Sequence, residues 1–306
     1  MVSTIQPRLL VHCRADVGEG PVYDPASDTL YWVDAPAGHL WRWDHASRDV
    51  AYREIGETLG SMALIDGGGF LLAARRGVLV LPGWNGLPSL WRQVEPDHAT
   101  RFNDGRCDPD GRFVAGTAAH DPRFTGTLYR LDPDGGVAAL VDGIGISNGL
   151  DWSPDGHWFY HVDTIAQTVN RYRWDAAAGV PSEPEVLIEV PSGDGLPAGL
   201  TVDAEGCLWL AVRGAGEVRR HTPDGRLLGA VAVPTPNVSG CAFGGPHRNE
   251  LYITTAAQAA PQYGREGRLA GDVFVVTTPV RGQRRVPFPR HGIPAELLEP
   301  RPYELD

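Results

Sequence analysis

The chain of 306 residues carries 38 acidic and 27 cationic side chains, a formal net charge of −11, and every one of the 27 cations is arginine. That balance disfavours nucleic acid and anionic membranes as partners, and no basic block or aromatic-interleaved arginine stripe offsets it. The lack of lysine excludes Schiff-base chemistry and a Walker phosphate loop, both of which need its amine.

Nine Trp, nine Tyr and 42% hydrophobic residues supply a core, while 38 Gly and 26 Pro supply turns and leave little room for long helices. The expected class is all-β. The opening apolar stretch is too short for a secretory signal and no run approaches membrane-spanning length, so a cytoplasmic protein is expected, monomeric or weakly homo-oligomeric. Cys13, Cys107, Cys207 and Cys241 form no CxxC pair and read as buried free thiols.

In chain order, RLLVHC (8–13) reads as a strand with no place in the first repeat. Six anchoring segments follow: GEGPVYD (18–24), SMALID (61–66), NDGRCDPDG (103–111), NGLDWSPDG (148–156), AGLTVDAEG (198–206) and SGCAFG (239–244). Laid in one register they align Glu19, Ser61, Asn103, Asn148, Ala198 and Ser239, spaced by 42, 42, 45, 50 and 41 residues. This is the length of a four-stranded propeller blade. Each anchor is followed by a strand rich in aromatic and β-branched residues, such as LYWVDA (30–35), WFYHVDT (158–164) or CLWLAV (207–212). Third and fourth strands complete most units.

The sixth unit lacks a clear fourth strand, with RRVPF (284–288) its weak candidate, so RLLVHC is predicted to complete it and close the ring. The prediction is a single six-bladed β-propeller over residues 1–306, with the Pro-rich 287–306 as a surface extension.

In a propeller, residues at one register form a ring around the axis. Taken singly, Asn103 and Asn148 read as turn residues. Gathered with Glu19, they form a hard-oxygen set suited to one divalent ion, such as Ca²⁺, Mg²⁺ or Mn²⁺. A cation there would favour hydrolysis of an ester or lactone. Arg101, two residues before Asn103, shares its face in an extended strand and is a candidate for substrate binding. His120 and Asp121 follow the strand 112–117 and are candidates to reach over the channel mouth. Asp104, Asp151 and Asp163 read as structural loop acids. No HExxH or GxGxxG-plus-helix pattern is present, and no GxSxG stands at a strand-to-helix elbow (GISNG, 145–149, leads into a strand-like segment), which leaves triad hydrolases, zincins and dinucleotide enzymes without support.

The segments GEGPVYD, RFNDGRCDPDGRFVAGT, SNGLDWSPDG, VDAEGCLWLAV and SGCAFGG, in this order and at these spacings, resemble the senescence-marker, gluconolactonase and regucalcin family across nearly the whole chain. The resemblance implies a six-bladed propeller whose central divalent metal ion (Ca, Zn, Mn, Mg or Fe(II)) serves hydrolysis of a small sugar-acid lactone. It implies metal ligands at Glu19, at Asn148 and at the Asp of a P-D-G motif, with Asn103 and Arg101 lining the substrate pocket. The chain departs from that pattern at Pro197-Ala198-Gly199, where a methyl group stands at the position of the expected ligand and general base. Three readings follow: an inactivated Asp-to-Ala variant, a homologue in which Glu19 or Asp194 serves as base, or a protein that binds without catalysis. An organophosphate or aryl-ester hydrolase of the related calcium propeller type is a further alternative.

Overall fold

The computed structural model describes residues 6–94, 100–119, 125–259 and 267–299. Its strands form six antiparallel sheets arranged as the blades of a ring. Blade 1 runs outward from Gly18–Asp24 through Thr29–Asp34 and His39–Asp44 to Val50–Glu54. The inner strands of blades 2 to 6 are Leu59–Leu64, Thr100–Cys107, Ser147–Trp152, Leu196–Val202 and Val238–Gly244. All six anchoring segments therefore become inner strands. In blade 6 the outermost strand is Arg8–Val11, antiparallel to Val273–Thr277, so the N-terminal strand closes the ring as predicted. RRVPF forms no blade strand.

The recurring turn has a local cause. In DPDG, Asp108 Oδ1 accepts hydrogen bonds from the amides of Asp110 and Arg112, and in DAEG, Asp203 Oδ1 does the same for Glu205 and Cys207. An aspartate that bonds its own backbone two and four residues on fixes the reversal between the first two strands of a blade.

Between blades the core is aromatic and aliphatic. Trp209, Phe243, Leu251 and Phe274 pack together across blades 5 and 6, and Phe102, Phe113, Leu71 and Val80 across blades 2 and 3. Each such side chain contributes about 1.5–3 kcal/mol on burial. Adjacent inner strands approach so closely that a side chain would not fit at Gly60 or Gly149. A Cβ there would lie 2.3 Å from the Asn103 carbonyl oxygen or 2.0 Å from the Leu200 nitrogen.

The predicted surface extension needs correction. Residues 281–288 cross the underside of the ring: Gln283 Nε2 donates to the Trp152 and Val202 carbonyls, and Arg285 reaches Asp151. Phe288 is completely buried in the core of blades 2 and 3 and Ile293 nearly so. Proline-rich composition predicted a turn-laden path, but a single buried aromatic decides where such a path is pinned. Residues 300–306 lie outside the described residues.

Candidate active site

All six inner strands carry a register irregularity at the same place: between Glu19 and Val22, Leu59 and Ser61, Phe102 and Gly105, Ser147 and Leu150, Pro197 and Leu200, and Val238 and Gly240. A β-bulge bends the strand and re-aims the side chains within it. Each aligned residue, Glu19, Ser61, Asn103, Asn148, Ala198 and Ser239, lies in or beside its bulge. The ring read from the register is thus built by six repetitions of one backbone distortion.

Hydrogen bonds tie its members to the neighbouring blades. Arg101 Nη1 donates to Asn103 Oδ1 at 2.9 Å and to the Phe102 carbonyl at 3.0 Å. Asn103 Nδ2 donates to the Ser147 carbonyl of blade 4 at 2.8 Å. Asn148 Oδ1 accepts from the Gly149 amide, and its Nδ2 donates to Thr164 Oγ1, which donates in turn to the Pro197 carbonyl at 2.8 Å. This relay links Asn148 to the residue beside Ala198. Ser239 Oγ donates to the Gly18 carbonyl, whereas Ser61 Oγ is buried with no partner among the described residues.

Glu19 is the one acid on the ring. Its half-buried carboxyl is pushed up to about 7 by desolvation, against the pull of Arg101 and Arg213 and with a further push from Asp104 and Asp34. No hydrogen bond to it is made by the described residues. A desolvated carboxylate without a donor fits one ligand of a cation, and Asn148 supplies an amide oxygen one blade position from Ala198. Asn103 presents its oxygen to Arg101 and so stands as a pocket wall in this structure. The methyl of Ala198, 5% exposed, adds no donor.

Of the other predicted residues, Asp163 braces the loop before its blade's inner strand by accepting from the Gly145 and Ile146 amides. Asp151 is no loop acid: it is buried at the hub of Arg106 and Arg285. Asp104 lies on the same hub's side, its carboxyl raised by burial and lowered by Arg106. Asp194 is exposed on a turn, its amide bonded to the Pro191 carbonyl. His120 and Asp121 lie outside the described residues. All four cysteines are free thiols, as expected, but only Cys207 and Cys241 are buried; Cys13 and Cys107 are partly exposed. A cavity of about 660 Å³ opens at the opposite end of the inner strands, against Tyr31, Phe70, Trp84 and Phe243, and is not lined by Glu19, Asn103 or Asn148.

Arg213 was missed by sequence reasoning, and strand pairing reveals it. In every blade one second-strand residue pairs with the position two before the ring residue. These are Ala35, Ala74, Ala118, Thr164, Arg213 and Ala256. Four are alanine, Thr164 holds Asn148, and Arg213 alone is charged.

A six-bladed propeller with a bulged polar ring at one mouth defines a class, and the sequence places the chain within it. The chain belongs to the SMP-30/gluconolactonase/LRE-like family, whose profile matches residues 17–257. It is 32% identical to regucalcin of Xenopus laevis over 286 residues, covering 90% of this chain and 95% of that one. It is 33% identical to Bacillus subtilis YvrE, assigned as a sugar lactone lactonase, over 90% of this chain and 96% of that one. The structure of a calcium-binding protein, regucalcin, from Agrobacterium tumefaciens superposes with a TM-score of 0.86 at 29% identity, covering 93% of this chain and 97% of that one.

Proposed function

We propose that this chain opens the ester bond of a sugar-acid lactone at the polar mouth of the ring, with a divalent cation held by Glu19 and Asn148. The observation that carries the reading is the pairing, on one ring, of a Glu19 carboxyl that has no donor among the described residues with the Arg101–Asn103 couple. The relatives' lactonase and calcium-binding names support it. When bound, the cation polarises the lactone carbonyl and makes water more acidic.

The residues divide the remaining work. Arg101, held in place by Asn103 Oδ1 and the Phe102 carbonyl, presents further guanidinium hydrogens to a substrate hydroxyl or carbonyl oxygen. Asn148 is fixed by Thr164 and the Gly149 amide. At position 198 a methyl cannot take a proton from water, so turnover is slow. General-base loss costs about 10²–10⁴ in rate. The same methyl favours a second reading, a propeller that binds its ligand without hydrolysing it. Lactone hydrolysis followed by pH indicator, for this chain and for Ala198→Asp, decides between them. Hydrolysis by the Asp form supports the lactonase reading. Its absence, together with ligand protection against melting, supports the binding protein.

A further inference from the structure

We propose that Arg213 forms, with Arg101, a subsite for a carboxylate on the ligand. The lactone taken here is then one that keeps a free carboxylate, such as the monolactone of a sugar diacid, rather than a neutral aldonolactone. The inference rests on the lactone reading for the ring and names the substrate class.

Register gives the geometry. Leu196, two residues before Ala198, pairs with Arg213, as Ile146, two before Asn148, pairs with Thr164. Thr164 is hydrogen-bonded to Asn148 at 3.1 Å, so a side chain at this position stands beside its own blade's ring residue. In blade 5 that residue is Ala198, so the longer guanidinium has no acid at its own blade's ring position. The equivalents Ala35, Ala74, Ala118 and Ala256 are all at most 5% exposed, so the position ordinarily takes a methyl and Arg213 departs from the pattern.

The guanidinium is also tethered on the mouth side. Its Nη2 donates to the Gln258 carbonyl at 3.2 Å, and the Gln258 amide donates to the Asp16 carbonyl at 3.0 Å, three residues from Glu19. One hydrogen bond to the described residues, for a fork of five donors, leaves a planar face suited to a bidentate carboxylate. The charges agree. Arg101 and Arg213 both act on the single carboxylate of Glu19. Asp34 already receives the amides of Asp16 and Val17, and Asp104 sits with Arg106 toward the other end. Two cations thus face the single acid at the ring register, and blade 5 has exchanged an expected acid for a cation on the adjacent strand.

The test compares glucono-1,5-lactone with the monolactone of glucaric acid, using the full chain, Arg213→Gln and Arg213→Lys. The measured quantity is the ratio of kcat/KM for the charged over the neutral lactone. A parallel calorimetric titration measures glucarate against gluconate. A charge-assisted carboxylate contact predicts a ratio of about 10–100 in the unaltered chain, lost in Arg213→Gln and partly kept in Arg213→Lys. A ratio near one, or one that Arg213→Gln leaves unchanged in a variant that melts like the parent, overturns the proposal. If neither lactone is hydrolysed by this chain or by its Ala198→Asp form, the lactonase reading fails by itself. The subsite then stands if glucarate binds more tightly than gluconate in an Arg213-dependent way, and falls if the two bind alike.

Discussion

Arg285 meets Asp151 through both guanidinium prongs, Nη1 to Oδ1 at 2.6 Å and Nη2 to Oδ2 at 2.7 Å, across 134 residues of chain. Burial pushes the Asp151 carboxyl up, but Arg285 and Arg106 outweigh it, and the group is held below the usual carboxylate range. The pair anchors the segment that crosses the underside of the ring.

Asp151→Ala strands two arginines beside a buried site and is expected to cost about 3–5 kcal/mol. Arg285→Ala leaves Asp151 with Arg106, and Arg285 is 30% exposed, so its cost should be about 1–3 kcal/mol. Denaturant titration of both variants checks the order. An Arg285 variant as unstable as the Asp151 variant would deny Arg106 any compensating role.

Ala198→Asp should raise lactone turnover by about 10²–10⁴ by restoring a proton acceptor beside the Thr164–Pro197 link. It should also tighten binding of a divalent cation by adding a full negative charge to the ring. A chelator should therefore lower the melting temperature of the Asp form more than that of the parent. Equal rates for the two proteins would remove position 198 from the chemistry.

Arg101→Ala should lower kcat/KM by about 10–100-fold through loss of one charge-assisted contact. Arg101 is half-buried and its described hydrogen bonds stay within its own strand, so the melting temperature should move little. A large drop in melting with unchanged kinetics per folded molecule would make the residue a structural brace.

His161, 1% exposed and bonded to Ser147 Oγ at 2.8 Å, has its pKa lowered to about 4 by burial, with Asp163 opposing weakly. Its folded value lies below the unfolded 6.5, so the stability it contributes is present above pH 6.5 and is lost as pH falls toward 4, by up to about 3 kcal/mol. Melting curves between pH 8 and 4 should show that loss in the parent and a shallower one in His161→Gln.

The fold was legible because two kinds of signal repeat: the D-P-D-G, S-P-D-G and D-A-E-G turns, each with a side chain that bonds its own backbone, and the spacing of the inner strands. Glu19, Asn103 and Asn148 were legible for the same reason, since the bulges keep one register around the ring. Arg213 was not, because its place follows from pairing with Leu196 on another strand and its oddity emerges only beside the alanines of the other blades. Nor was the course of 281–288, where Phe288 and Arg285 act through partners more than a hundred residues away in sequence.

Closure by Arg8–Val11 sets a timetable for biogenesis. Arg8 pairs with Val275, so a nascent chain made at roughly 5–20 residues per second holds that strand unmatched for some tens of seconds before its neighbour leaves the ribosome. By the end of that interval five finished sheets stand beside an unsealed gap. Chaperone supply during translation, more than the final free energy, should then govern the yield of active protein.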